Sequence, residues 1–220
     1  MKPVFVSLVL CLNLACAVAL KPPANAPTVQ RVEAAYGSSI MRFGEFQVKG
    51  VIEKSVGIGV VFGRGRAALQ QRSVRFTVNR SGQPFAELTC AAAPSEPKLM
   101  MGSFSLNHPK YTVECSGPDF TLEMTGDAEK PLKGVVTWHG QRYPVKTSFD
   151  TAEKSQSPHL GFHVEGEQGW LASSDIQGAT WISTNLTAEA REAIVLANFA
   201  WASRRNVIME GVGSGMMVLR

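Results

Sequence analysis

The sequence predicts a mainly β domain: a curved sheet of about 10 to 12 strands, closed into a barrel or sandwich, with one buried apolar helix near the C terminus. Three observations predict it. Apolar and polar residues alternate in short runs, with period two. Turn-forming residues recur about every ten positions, the spacing of strands in a sandwich or barrel. One long stretch, Ala193 to Ala202, is apolar except for Asn198 and does not alternate.

The chain begins with an export pattern. Lys2 precedes an apolar run from Val4 to Leu14, and Ala17-Val18-Ala19 offers small residues at the positions where a signal peptidase cuts. Residues 1–19 therefore read as a signal peptide, followed by a proline-rich tether over 20–35 and a single β-rich domain over 36–220. A periplasmic or secreted protein results. The alternative places a lipid on Cys16 and holds the protein at a membrane as a lipoprotein. No later stretch approaches the roughly 20 apolar residues that span a bilayer.

Removing Lys2 with the leader lowers the formal net charge from +4 to +3, too mild a balance for a nucleic-acid-binding chain. With 45% hydrophobic residues, one sizeable core is expected.

Strand signals follow in order. Val74, Phe76 and Val78 alternate with polar residues before the turn Asn79-Arg80-Ser81-Gly82. Phe85 to Cys90 and Tyr111 to Cys115 alternate in the same way, and Phe120, Leu122 and Met124 precede Gly126-Asp127. Leu132 to Trp138 and Tyr143 to Phe149 flank His139-Gly140-Gln141 as a hairpin. Shorter strands are expected over 159–165, 169–173 and 180–183. Gly57, Gly59, Gly63 and Gly65 interrupt a Val/Ile/Phe-rich run. A phosphate-cradling loop needs a following helix, and here strands lie on both sides, so these glycines mark bends or bulges. No cofactor is implied.

Alternation places Cys90 on a face with Ala86 and Leu88, and Cys115 on a face with Tyr111 and Val113. Both thiols point inward, and in an oxidising compartment they are expected to form a disulfide.

The helix is expected at about 187–203. Thr187 serves as its cap, Glu189 and Glu192 lie near its positive end, and Arg204 and Arg205 lie near its negative end. Its apolar residues are not confined to one stripe, which is the signature of a helix surrounded by protein.

Two groups of residues are candidates for function. Arg64, Arg66, Arg72, Arg75 and Arg80, with Lys54, form a basic stretch between Glu53 and Glu87. Such a hairpin suits an anionic lipid or glycan surface. His159, His163, Glu165 and Glu167 share the polar phase of a strand, close to Ser173, Ser174 and Asp175. Strand rise separates His159 from His163 by roughly 13 Å, too far for one metal ion. No metal site is expected. A hydrolase would use His159 or His163 with Ser174 or Asp175, although no G-x-S-x-G elbow frames a serine.

The order of parts in the last third, Gly169-Trp170-Leu171-Ala172-Ser173-Ser174-Asp175-Ile176-Gln177-Gly178, then a short strand with Trp181, then the apolar helix, resembles the end of tubby-like and LURP-one-related domains. That resemblance implies a β-barrel around a hydrophobic C-terminal helix and a non-enzymatic role, with some members associated with phospholipids. The expected function is an exported, non-catalytic envelope protein that binds anionic lipid, glycan or a protein partner. The alternatives are a periplasmic hydrolase and an assembly factor of the envelope.

Overall fold

The computed structural model describes residues 29–36, 41–101, 104–107, 110–127, 131–147, 161–167, 169–175 and 179–213. The expected leader over 1–19, with Cys16, lies outside them, as does His159. The first strands are β1 (Val29–Tyr36), β2 (Met41–Phe43), β3 (Phe46–Phe62), β4 (Gly65–Arg80) and β5 (Gln83–Pro94). Next come β6 (Lys98–Met101), β7 (Phe104–Ser105), β8 (Lys110–Ser116), β9 (Phe120–Asp127) and β10 (Lys133–Trp138). The series ends with β11 (Gln141–Thr147), β12 (Gly161–Gly166), β13 (Gly169–Asp175), β14 (Ala179–Ser183) and one helix, α1 (Ala188–Gly213).

The protein is mainly β, with a single antiparallel sheet in the order β3-β2-β1-β14-β13-β12-β11-β10-β9-β8-β5-β4-β6-β7 and an additional β3–β4 pairing. Tight turns set much of this register. The two-residue connections Ser81-Gly82 and His139-Gly140 both have positive φ at each position, the geometry whose twist matches antiparallel strands.

α1 contacts β4, β5, β8, β9, β10 and β12. Those strands fall within a run of seven neighbours, which laid flat would span about 29 Å, far wider than a helix of about 10 Å. The sheet therefore curls around the helix. Ala193 to Ala197, Phe199 and Ala200 are completely buried, and Trp201 stacks on Phe162 at 6.0 Å. Asn198, the polar residue in this stretch, is buried too, and its Nδ2 donates to the carbonyl of Ile194 at 2.8 Å. A buried amide answered by its own helix costs little.

Four expectations need correction. Instead of a regular closed barrel, the sheet is one curled run whose last members, β6 and β7, lie beyond the wall. The cause is β4, whose C-terminal half pairs with β5 while its N-terminal half pairs with β6. Among the described residues fourteen strands form rather than about 10 to 12, with the short β2 and β7 of three and two residues adding to the count. Val29 to Ala35, assigned to the tether, belong to the strand Val29–Tyr36, which pairs with β14. No proline lies between Pro27 and Pro84, so every backbone N–H of Val29–Tyr36 can join a ladder. Finally, α1 runs to Gly213 rather than ending near 203. No proline interrupts it, and an interior glycine costs only about 1 kcal/mol.

Cys90 and Cys115 are joined in a disulfide and lie directly opposite each other on β5 and β8, with Cα atoms 3.9 Å apart. Both are buried, on the inward face that the alternation predicts.

Candidate functional site

The glycine-interrupted run is the start of a long arm. β3 and β4 stay paired from Phe46↔Arg80 to Phe62↔Gly65; β5 accompanies β4 as far as Arg72, and beyond Ser55 the arm carries no described part of the wall except β6 and β7. The glycines do not break it. Gly57 and Gly59 pair in register with Gln70 and Ala68, Gly50 absorbs the bulge between Lys49 and Ile52 with φ +64, and Gly63 makes the turn with φ +59.

Register decides which residues share a face, since side chains directly opposite lie on the same side of the sheet. Val56, Ile58, Val60 and Phe62 stand opposite Gln71, Leu69, Ala67 and Gly65. Leu99 and Met101 of β6 continue the row, opposite Ala67 and Gly65. This face is apolar and open to solvent: Val56 is 67% exposed, Ile58 69%, Val60 60% and Phe62 52%. The ring of Phe62 lies over Gly65, in the space that a Cβ there would take. The other face holds the small residues Ser55, Gly57 and Gly59, with Val61, 77% exposed, near the tip. The arm is thus an amphipathic ribbon with its apolar side uncovered. Apolar patches of this extent are uncommon on monomeric proteins unless something docks on them.

The five arginines do not converge. Arg64 is exposed in the turn at the tip, next to Gly63. Arg66 pairs in register with Val61 close by. Arg72 is half-buried and stands opposite Ser55, on the side away from the apolar row. Arg75 bonds Glu87, and Arg80 bonds Glu45 at 2.9 Å and Glu192 at 2.8 Å. Sixteen residues of strand put Arg80 about 50 Å from the tip. Charge available to a surface therefore concentrates at Arg64 and Lys54, the latter exposed and in phase with the apolar row. Sequence reading found the arginines but missed the apolar row, whose signal was Val56, Ile58, Val60 and Phe62 at period two.

His163 and Ser173 do meet. Ser173 Oγ lies 2.6 Å from His163 Nδ1, and the Trp170 indole N–H, which can only donate, bonds the same oxygen at 2.6 Å. Both residues are buried, so no substrate carbonyl reaches that oxygen. The polar phase of the strand at His163 is therefore buried. Ser174 is in register with Phe162, on the side opposite His163, and its oxygen accepts from Thr180 Oγ1 at 3.0 Å. The His163–Ser174 pair of the hydrolase reading does not form. A bulge between Val164 and Glu165 shifts the phase, and Glu165 bonds Lys146 at 2.7 Å. Among the described residues, no three His, Cys, Asp or Glu side chains gather as metal ligands. No helix among them is long and apolar enough to cross a membrane.

Neither known protein families, nor curated proteins, nor solved structures include a match to this chain.

Proposed function

We propose that this chain is an exported, non-catalytic binding module of the cell envelope whose β3–β4 arm lies on an anionic lipid surface. One observation carries the reading: an uncovered apolar row on one side of the arm, with Lys54 in the row and Arg64 at its end. Such a ribbon can bury its apolar side at the boundary between headgroups and acyl chains, while the long basic side chains reach back to the phosphates. Burying Ile58, Val60 and Phe62 is worth about 1.5–3 kcal/mol each, and each basic residue at an anionic surface adds about 1 kcal/mol. A free headgroup could satisfy the charges but would leave the apolar row in water, so a lipid surface fits both features at once.

Export is supported by the leader pattern and by the Cys90–Cys115 disulfide, which persists in oxidising compartments. The likeness to tubby-like and LURP-one-related domains, with their phospholipid-associated members, points toward the same kind of surface.

The test is co-sedimentation with phosphatidylglycerol-containing vesicles, compared with pure phosphatidylcholine. The chain is expected to sediment with the first and weakly with the second. Ile58→Ser, Val60→Ser and Phe62→Ser together should lower the affinity by about tenfold or more, since each burial is lost. Lys54→Gln with Arg64→Gln should weaken anionic binding only. An unchanged melting temperature and an intact disulfide verify the fold of each variant. If the wild-type chain ignores anionic vesicles, or if the triple variant sediments as before, the lipid reading fails. If the triple variant instead loses self-association, the face is a protein interface and the lipid reading also fails.

A further inference from the structure

At the other end of the wall, the β10–β11 turn, the β12–β13 turn and the entry to α1 enclose a half-open cleft of about 590 Å³. That volume falls within the ~300–1,000 Å³ of small-molecule sites. Its polar walls are Arg142 and Tyr143 of β11, Glu167 of the β12–β13 turn, Asn185, and Glu189 of α1. Leu171 is part of its apolar floor.

Tyr143 points to a ligand. It is 9% exposed, lines the cleft, and its hydroxyl has no hydrogen bond with any described residue. That hydroxyl opens onto the cleft rather than being sealed in the core, so it can donate to an occupant there without giving up a contact inside the protein. Burial and the nearby Glu189 charge both hold its ionisation above the usual tyrosine range, so it stays a donor.

Charge narrows the class of occupant. An anion entering the cleft meets Glu167 and Glu189. A cation meets Arg142 and the positive end of α1. A neutral molecule rich in hydroxyls can accept from Tyr143, Arg142 and the Asn185 amide while donating to the two carboxylates. Its C–H faces can rest on Leu171. We infer that this cleft binds a neutral carbohydrate of one or two rings, at a site separate from the lipid-facing arm.

The experiment titrates the full chain with maltose and with N,N′-diacetylchitobiose, following backbone amide resonances. Saturable shifts at Tyr143, Leu171 and Ala190 are expected with at least one of them, with a Kd of about 1 mM or tighter. Tyr143→Phe and Glu167→Gln should each weaken that binding about fivefold, the worth of one hydrogen bond, at unchanged melting temperature. Glu167 is exposed, so its variant does not disturb the core. No saturable shift with either sugar overturns the inference. So do shifts produced by acetate, phosphate or choline in place of the sugars, and so does full sugar binding by both variants.

Discussion

Arg80 Nη1 lies 2.8 Å from Glu192 Oε1, joining the end of β4 to the second turn of α1. The same carboxylate accepts from Trp138 Nε1 at 3.3 Å, and Arg80 also bonds Glu45 and lies 5.3 Å over the ring of Phe46. One ion pair therefore fixes the helix against strands from both sides of the wall. Glu192 also lies near the positive end of the helix, where a carboxylate is favoured.

This junction is testable by a double-mutant cycle on Arg80→Gln and Glu192→Gln. Glu192 is largely enclosed but Arg80 is nearly half exposed, and solvent screening reduces the pair accordingly. The expected coupling is about 0.5–1 kcal/mol, read from urea unfolding midpoints. A coupling of zero would mean that the helix is seated by packing alone.

Packing at the helix carries more. Phe162→Ala removes the ring stacked on Trp201 from a fully buried position. A loss of about 3–5 kcal/mol is expected, because transfer and cavity terms add. Thermal unfolding of the variant checks it, and a loss under about 1 kcal/mol would show that the site collapses to fill the void.

Gly134 is a close-approach position. A Cβ there would run into the Glu123 carbonyl on β9, its register neighbourhood in the sheet. Gly134→Ala must push two backbones apart, so it should destabilise by about 1–3 kcal/mol, as overpacking does. Chemical denaturation gives the value directly, and neutral behaviour would show that β9 can shift without cost.

Removing the disulfide as Cys90→Ala with Cys115→Ala opens a loop with a sequence separation of 25. The chain-entropy account predicts a loss of about 3–4 kcal/mol. The same drop on reduction of the wild-type chain would identify the cross-link, rather than the small change in side-chain volume, as the cause.

Two buried phenols set the alkaline limit. Burial raises the ionisation of Tyr111, and burial followed by Glu189 raises that of Tyr143. Each folded-state pKa lies above the ordinary tyrosine value of about 10, so their contribution is complete below that pH. It is lost as pH climbs above it, because the unfolded chain ionises first. Melting temperature should fall from about pH 10 upward, and the Tyr111→Phe, Tyr143→Phe double variant should show a shallower fall. Equal slopes for the two proteins would remove these tyrosines as the cause.

The strands from Val74 to Thr147 and the disulfide face of Cys90 and Cys115 were legible because side-chain alternation is a local, period-two property of an extended chain. The unstriped apolar run at Ala193 to Ala202 was equally direct: a helix greasy on every side needs a wall on every side. Other features depended on partners distant in sequence. Val29–Tyr36 became a strand only because β14 offers it a ladder, and Arg75 and Arg80 left the basic group only because Glu87, Glu45 and Glu192 came beside them. The phase of a strand says which side chains share a face, but not whether anything covers it. For Val56, Ile58, Val60 and Phe62 that question was answered by β4 outrunning its place in the wall, which left their side of the ribbon in water.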